Sequence, residues 1–325
     1  MNFSLNASIE IWPVAGAFTI ARGAKTEVAV VRVDLEKDGI TGRGEATPIY
    51  YHGETAEGCV AALNGFQFEI SFDAIQCGMP RGAARNALDA ALWDWTSKAK
   101  GVSASARAGV TIPATINSAI TISVASPEIM QADAKRLAGL GYGLIKLKLA
   151  GEGDLDRVAA VRSGAPRARL IVDANEAWTG LDVAAMAASF LPHGIELIEQ
   201  PVAAGQDHLL DRVRSPIPLG ADESCQDRAD LPRCLGRYDA INIKLDKAGG
   251  LTEALALAAS ARAAGMKIMV GCMLSTSLGI APALLLAGQA QWVDLDGPIL
   301  LARDRDGGVR MKRGMLYPTE AGFWG

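Results

Sequence analysis

The feature that most constrains the fold is a nearly constant spacing between the ends of short, apolar, β-branched runs along the chain. Successive ends lie 25, 26, 23, 22, 27 and 23 residues apart, at Lys148, Asp173, Glu199, Asp222, Lys244, Gly271 and Asp294. Ala-rich stretches with helical periodicity, such as 126–141 and 249–265, lie between these runs. One strand, one helix and two short loops make up such a period. With a first run at 117–122, the pattern predicts an α/β fold, a (β/α) TIM-like barrel whose functional residues lie at the carboxyl ends of the strands.

A doubly wound open sheet is the competing architecture. That fold favours a glycine-rich turn after an early strand. The segment 149–156, "LAGEGDLD", lacks the third glycine and has acidic residues instead. The barrel is therefore the preferred interpretation.

The first hundred residues follow a different pattern. The segment 26–48 reads as two strands joined by a turn at Asp38-Gly39, which is typical of a hairpin. The segment 83–101 places Ala84, Leu88, Ala91, Leu92 and Trp95 on one helical face. We therefore predict an α+β domain over 1–112, the barrel over 113–300, and a segment 301–325 that returns to the first domain.

Composition limits the classes of function. In 325 residues with 50% hydrophobic content there is room for two domains, and a net charge of -4 without a basic block argues against nucleic-acid binding. No charge-free apolar run approaches membrane-spanning length, and the start resembles no secretion signal, so we expect no membrane partner and a cytoplasmic location. Five scattered cysteines without a C-x-x-C pair predict reduced thiols.

Acidic residues end three successive predicted strands, in "LIVDANEAW", "LIEQP" and "LGADES". A single acidic strand end is often only a helix cap, but Asp173, Glu199 and Asp222 would converge at the barrel mouth. Clustered carboxylates raise one another's pKa unless a cation lies between them. Oxygen ligands on rigid strands suit Mg²⁺, so we predict a magnesium site.

Lysines flank this acidic group. Lys146 and Lys148 in "GLIKLKLAG" share one face of a predicted strand, and Lys244 ends another. A lysine pair on an edge strand usually faces water, but here the lysines approach the carboxylates from opposite sides. Lysines on opposite flanks, at the Lys146/Lys148 strand end and at Lys244, are arranged as an acid/base pair. Lys148 would be the base, and Lys146 would be the neighbour that lowers its pKa.

A second acidic pair, Asp294 and Asp296 in "WVDLDGP", shares one face at the mouth. Two carboxylates without a third suit a substrate ammonium group. A turn-forming pair before Gly297-Pro298 is an equally good interpretation on spacing alone.

In this order and spacing, the motifs K-x-K, D-x-N, E-Q-P, D-E-S, N-x-K and D-x-D resemble the enolase superfamily. Within it the chain is similar to the muconate-lactonizing-enzyme-like subgroup, and there to the dipeptide epimerases of the L-Ala-D/L-Glu type. The resemblance covers nearly the whole chain, and the first hundred residues correspond to a capping domain. It implies Mg²⁺ held by Asp173, Glu199 and Asp222, with Lys148 and Lys244 as bases on the two faces of an enolate.

The resemblance also implies a substrate. "VGCMLSTS" has no histidine, unlike the mandelate-racemase-like subgroup, so a two-lysine epimerisation is implied. Asp294 and Asp296 would hold the free amine of a dipeptide such as L-Ala-L/D-Glu, which suggests murein peptide metabolism. Members of the superfamily are often multimers, which leaves a homo-oligomer open.

Two N-terminal loops would close over such a site. Arg22, with Lys25 nearby, would read an acidic side chain, or both would be solvated loop charges. Tyr50, Tyr51 and His52 would line the pocket or pack against the rim. Asn175 and Glu223 lie beside predicted metal ligands and would orient them or a lysine.

Three alternatives remain open. The same site could catalyse racemisation of an N-acylamino acid, o-succinylbenzoate synthesis or cycloisomerisation, although the aspartate pair would then lack a role. It could epimerise a non-acidic dipeptide. A catalytically inactive binding scaffold is disfavoured, because every expected ligand and lysine is present.

Overall fold

The computed structural model describes residues 2–20 and 23–325, with only the backbone of residues 17–20 and 23–25. Within these ranges, three antiparallel strands and four helices form the N-terminal domain. The strands are β1 (Ser4–Ile20), β2 (Gly23–Lys37) and β3 (Ile40–Ala46); the helices are α1 (Ala56–Asn64), α2 (Phe72–Gly78), α3 (Ala83–Lys100) and α4 (Ala104–Ala108). The predicted hairpin turn is confirmed, because Asp38 and Gly39 have φ of 53° and 74° between β2 and β3.

The remainder of the chain alternates strands with helices. In chain order they are β4 (Ile120–Ile122), α5 (Pro127–Gly139), β5 (Leu144–Lys148), α6 (Asp154–Gly164), β6 (Arg169–Asp173), α7 (Val183–Phe190), β7 (Ile195–Glu199), β8 (Leu219–Ala221), α8 (Leu231–Cys234), β9 (Ala240–Ile243), α9 (Leu245–Ala248), α10 (Leu251–Ala263), β10 (Lys267–Gly271), α11 (Ser277–Ile280), α12 (Leu284–Ala287) and β11 (Trp292–Asp294). Short 3₁₀ turns cover Tyr50–His52, Leu191–His193, Asp207–Leu210, Ala281–Ala283 and Gly297–Leu300.

The barrel prediction is confirmed. Strands β4 to β11 pair in sequence order, and each pairing is parallel. A parallel bridge between Ser118 and Val293 joins the two ends of the sheet. A cluster of buried side chains draws one residue from, or directly before, seven of the eight strands, namely Ala119, Leu144, Ile171, Leu197, Ala240, Met269 and Trp292. The open-sheet alternative is therefore wrong, and the strand ends meet around one mouth.

Helix α3 is buried on more sides than its apolar face predicts. Leu88 and Leu92 pack on the N-terminal sheet, as expected. Asn86 and Asp89 are also buried, because the opposite side of α3 lies against the barrel. There the Asn86 amide donates to Asp246, and Asp89 accepts a hydrogen bond from the backbone N–H of Thr252. Polar residues of α3 thus contribute to the contact between the two domains, beside apolar ones such as Ala90 and Trp93.

The end of the chain packs on the N-terminal domain. A hairpin of β12 (Arg310–Lys312) and β13 (Met315–Tyr317) follows the barrel. Phe323 and Trp324 then pack with Trp93 of α3, and the Gly325 N–H donates to Asp94 at 2.8 Å. In the part of the chain that the structure describes, no helix is long and apolar enough to cross a membrane.

The contact between β3 and α3 predicts a sharp sensitivity at Gly44. A Cβ at this residue would lie 2.0 Å from the carbonyl oxygen of Ala87, so backbone would have to move. Gly44→Ala should lower the free energy of unfolding by about 1–3 kcal/mol. The matched control Gly139→Ala, at the exposed end of α5 with open space around it, should leave the melting temperature unchanged or slightly higher. Equal melting temperatures for the two variants would contradict the close approach.

Candidate active site

Three carboxylates lie together at the barrel mouth, as the sequence predicts. Asp173 ends β6, Glu199 ends β7, and Asp222 directly follows β8. One oxygen from each lies within 4.8 Å of the others, and all three residues are at most 1% exposed. Consecutive parallel strands place their ends side by side, so this arrangement follows directly from the sheet order.

The two lysines of β5 point into the same space. Lys148 Nζ donates to Asp173 Oδ2 at 2.6 Å. Lys146 Nζ lies deeper, at 2.7 Å from Glu199 Oε2 and 2.9 Å from Asp294 Oδ2. Both lysines are buried, so the interpretation that they face water is wrong. Alternate residues of one strand share a face, which brings both ammonium groups to the carboxylates.

Lys244 reaches the carboxylates from the other side. It directly follows β9, and its Nζ donates to Asp222 Oδ2 at 2.6 Å. Lys148 contacts Asp173 at one end of the group, while Lys244 contacts Asp222 at the other. The predicted placement of lysines on opposite flanks is therefore what the structure contains.

The pKa values of the carboxylates follow these pairings. Burial alone would raise the pKa of Asp173, but Lys148 and Lys146 lower it to about 2. Burial is likewise outweighed at Asp222, where Lys244 and Lys247 hold the pKa well below its usual value. Burial and the neighbouring Asp173 raise the pKa of Glu199 to about 7. The mutual repulsion predicted from the sequence thus affects Glu199, and the lysines offset it at the other two.

The lysine pKa values depend on the same contacts. Burial would lower the pKa of Lys146, but Asp294, Glu199 and Asp173 raise it well above its usual value. Asp222 and Tyr51 similarly outweigh burial and raise the pKa of Lys244. The protein's own charges therefore shift Lys244 opposite to the direction that a base near neutral pH needs. A divalent cation on the same carboxylates would counteract this attraction.

Asp294 and Asp296 lie where the sequence predicts, at and just after the end of β11. Both are buried, and Asp294 Oδ2 accepts the hydrogen bond from Lys146. Asp296 Oδ2 accepts from the backbone N–H of Thr121 at 2.8 Å. Burial and Asp294 raise the pKa of Asp296 to about 7. The pair therefore adjoins the carboxylate group through Lys146.

The sequence interpretation missed two side chains that hold the carboxylates in place. Asn242 Nδ2 donates to Glu199 Oε1 at 2.6 Å. Lys247, which is fully buried, lies 2.7 Å from Asp222 Oδ1. The N-x-K spacing places Asn242 on the same strand face as Lys244, which is a signal for its role. Lys247 had no such signal, because it lies on α9.

Other predicted residues occupy less central positions. The backbone N–H of Asn175 donates to Asp173 Oδ1 at 2.9 Å, so this residue orients a carboxylate through its main chain. Glu223 is buried beside Asp222. Tyr51 is close enough to Lys244 to contribute to its raised pKa, and its ring packs edge to face on His52.

The residue predicted to bind the acidic side chain of the substrate lies outside the described residues. Arg22 is not among them, and nothing of the Lys25 side chain is described. The role given to these two residues therefore stays a prediction.

The donor set fits a hard divalent cation. Glu199 Oε2 and Asp222 Oδ1 are buried and accept no hydrogen bond from the described residues, although a lysine nitrogen lies 2.7 Å from each. Together with Asp173, these two residues offer one carboxylate oxygen each to a common metal position. Three carboxylate oxygens on rigid strand ends, without sulfur or imidazole, are the ligands that Mg²⁺ prefers.

Comparison with known families agrees with this fold and site. The family model described as "Enolase C-terminal domain-like" matches residues 129–323. A second family model, described as "Mandelate racemase / muconate lactonizing enzyme, N-terminal domain", matches residues 5–109. The chain belongs to the mandelate racemase/muconate lactonizing enzyme family of the enolase superfamily.

Two curated relatives are similar over much of the chain. The L-Ala-D/L-Glu epimerase of Escherichia coli is 42% identical over 312 residues, which is 95% of this chain and 97% of that protein. The N-acetyl-D-glutamate racemase of a Pseudoalteromonas species is 44% identical over 249 residues, or 76% of this chain and 78% of that protein.

Two solved structures are similar as well. An enolase family member from Agrobacterium tumefaciens, solved with sodium and L-Ala-L-Glu, has a TM-score of 0.95 and 43% identity, covering 99% of this chain and 100% of its own. The dipeptide epimerase of Enterococcus faecalis, solved with Mg and L-Leu-L-Tyr, has a TM-score of 0.91 and 29% identity, covering 99% and 98%.

The carboxylate group predicts a metal-dependent stability. Mg²⁺ at one hundred times its dissociation constant should stabilise the protein by about 2.7 kcal/mol, which is measured as a rise in melting temperature. Asp222→Asn should abolish most of this rise, because it replaces a charged ligand. The control Asp296→Asn, outside the group of three, should keep it. An equal rise in the Asp222→Asn protein would contradict the site.

Proposed function

We propose that the protein is a Mg²⁺-dependent dipeptide epimerase that inverts the α-carbon of the C-terminal residue by a 1,1-proton transfer. The observation that carries the proposal is the placement of two lysines at opposite ends of one carboxylate group. Lys148 contacts Asp173 and Lys244 contacts Asp222, each at 2.6 Å. A substrate over the carboxylates would have one lysine on each face.

Asp173, Glu199 and Asp222 would hold the metal. When bound, Mg²⁺ supplies Lewis-acid stabilisation of the negative charge that develops on a substrate carboxylate. The side chains around it keep the ligands fixed, since Asn242 binds Glu199 and the Asn175 N–H binds Asp173. Lys146, at the centre of the group, adds a permanent positive charge beside the same position.

The two remaining lysines would move the protons. The neutral amine of one lysine takes the proton from the α-carbon, and the electron pair of that C–H bond passes into the enolate. The ammonium group of the other lysine returns a proton to the opposite face. No proton is gained or lost overall, and the carbon is inverted. With Lys148 as base one epimer is consumed, and with Lys244 as base the other is.

Asp294 and Asp296 would bind the free α-ammonium of the dipeptide. Both carboxylates are buried next to Lys146, so an ammonium group there would be partly desolvated and strongly attracted. Support for L-Ala-L/D-Glu as substrate comes from the 42% identity to the Escherichia coli epimerase and from the Agrobacterium structure with L-Ala-L-Glu. Arg22 remains our candidate for the acidic side chain. Murein peptides are the substrate source that this specificity suggests.

A second candidate function is racemisation of an N-acylated acidic amino acid. The 44% identity to an N-acetyl-D-glutamate racemase favours it. The metal group and lysines would serve both reactions. The aspartate pair distinguishes them, because an N-acylamino acid has no ammonium group for Asp294 and Asp296.

The organisation of the chain is also a proposal. We propose a capping domain over 1–112, the catalytic barrel over 113–300 and a returning segment over 301–325. The packing of Phe323 and Trp324 on Trp93 supports the last part. A cytoplasmic location and assembly into a homo-oligomer stay predictions.

Proton NMR in D₂O tests the proposed function. With Mg²⁺ present, L-Ala-L-Glu should lose the α-proton signal of its glutamate, and the L,D epimer should appear. EDTA should stop both changes. N-acetylglutamate in a parallel sample should exchange more slowly. Exchange of N-acetylglutamate alone would overturn the dipeptide assignment, and exchange of neither compound would overturn the reaction class.

Single-lysine variants should separate the two faces. Lys148→Ala should abolish epimerisation, because one face has lost its acid or base, while exchange of deuterium into one epimer continues at Lys244. Lys244→Ala should show the same behaviour with the other epimer. Deuterium incorporation into each purified epimer is the measurement. Exchange into the same epimer by both variants would contradict the two-face arrangement.

The raised pKa of Asp296 predicts a pH-dependent affinity. Because that pKa is about 7, Asp296 is ionised mainly above this pH and loses its attraction for an ammonium group below it. KM for the dipeptide should therefore rise as the pH falls through about 7. Asp296→Asn should raise KM by an amount equivalent to about 1–3 kcal/mol and remove this pH dependence. An unchanged KM would contradict the ammonium site.

A further inference from the structure

Lys247 makes an unusual set of contacts for a residue with no part in proton transfer. Its side chain is fully buried. Nζ donates to the backbone carbonyls of Cys225, at 2.9 Å, and Asn242, at 3.0 Å, and also to the carbonyl of Asp222. An ammonium group has three N–H donors, so all three are used on main-chain oxygens.

These carbonyls belong to the two strand ends that carry the chemistry. Asp222 directly follows β8, and Cys225 lies in the loop after it. Asn242 is in β9, two residues before Lys244. The buried ammonium group of Lys247 therefore links the proposed metal ligand Asp222 to β9. This strand carries Asn242, which binds Glu199, and it leads to Lys244, a proposed base.

Lys247 also forms an ion pair with the side chain of Asp222. Its Nζ lies 2.7 Å from Asp222 Oδ1, yet this oxygen accepts no hydrogen bond from the described residues. The positive charge of Lys247 thus helps to hold this carboxylate in place. The other oxygen, Oδ2, is taken by Lys244 at 2.6 Å.

We propose that Lys247 is a positioning residue for divalent cation binding: it fixes Asp222 by fastening the ends of β8 and β9 together. This inference rests on the proposed metal site. A simple charge effect would have the opposite sign, because removal of a nearby positive charge would strengthen Mg²⁺ binding. Loss of the hydrogen bonds from Lys247 would instead weaken Mg²⁺ binding, because a more mobile Asp222 must be ordered when the metal binds.

Arg85 provides a matched control. It is also a buried cation that donates to main-chain carbonyls of the same region, those of Ala248 at 2.6 Å and Gly249 at 3.0 Å. It approaches from α3, and the carbonyls it binds lie at and just after the far end of α9. Arg85→Met and Lys247→Met therefore remove comparable structural contacts, and only the second reaches a proposed metal ligand.

The test is Mg²⁺ affinity measured by isothermal titration calorimetry on the 325-residue protein, with kcat and KM measured alongside. Lys247→Met should weaken Mg²⁺ binding by about 10–100-fold and lower kcat. Arg85→Met should lower the melting temperature and leave Mg²⁺ affinity unchanged. Lys247→Gln, which keeps two N–H donors, is the second variant if the methionine protein does not fold, and it should also weaken Mg²⁺ binding.

The outcomes separate this inference from the proposed function. Unchanged or tighter Mg²⁺ binding by the folded Lys247 variants, with normal binding by the unmodified protein, would overturn the positioning role alone. Equal weakening in Arg85→Met would also overturn it, since the effect would then be general destabilisation. Absence of Mg²⁺ binding by the unmodified protein would overturn the metal site itself.

Discussion

The structure depends on opposite charges buried against one another at one end of the barrel. Five acidic and four lysine side chains share this space and are buried: Asp173, Glu199, Asp222, Asp294, Asp296, Lys146, Lys148, Lys244 and Lys247. Removal of any such ion from water costs several kcal/mol unless a partner and hydrogen bonds replace its hydration. The strand ends and helix α9 place eight of these residues within ion-pair distance of a partner, and Asp296 accepts a hydrogen bond from the Thr121 N–H. The barrel is thus the means by which an arrangement unfavourable in isolation becomes stable.

The same arrangement has chemical consequences. Lys146 is surrounded by carboxylates and strongly held as a cation, whereas Lys148 and Lys244 each contact one carboxylate at the edge of the group. A central fixed charge with two flanking amines suits a reaction in which negative charge appears between them and a proton moves from one side to the other. Burial and a neighbouring carboxylate raise the pKa values of Glu199 and Asp296 to about 7. A cation beside either carboxylate would offset this effect. The proposed metal would lie beside Glu199, and the proposed substrate ammonium group would lie beside Asp296.

Most of the barrel could be predicted because the sequence pattern that marks each strand lies within a short stretch of the chain. Seven of the eight strands end at, or one residue before, a marker residue of the sequence pattern, and parallel order then fixes which ends are neighbours. Helix α3 was predicted only in part, because the burial of Asn86 and Asp89 depends on the docking of two domains. Lys247 was missed for a similar reason: its carbonyl partners are brought together by the turns after β8 and β9, which sequence periodicity does not describe.

In the reaction that we propose, the three carboxylates and the two flanking lysines act on one α-carbon. The most direct measurement is a crystal structure of the protein with Mg²⁺ and L-Ala-L-Glu. We expect Mg²⁺ at about 2.1 Å from oxygens of Asp173, Glu199 and Asp222. We also expect the glutamate α-carbon between the Nζ atoms of Lys148 and Lys244, with the dipeptide ammonium group at Asp294 and Asp296. A dipeptide bound with its α-carbon beside only one lysine, or with the metal elsewhere, would contradict the proposed reaction.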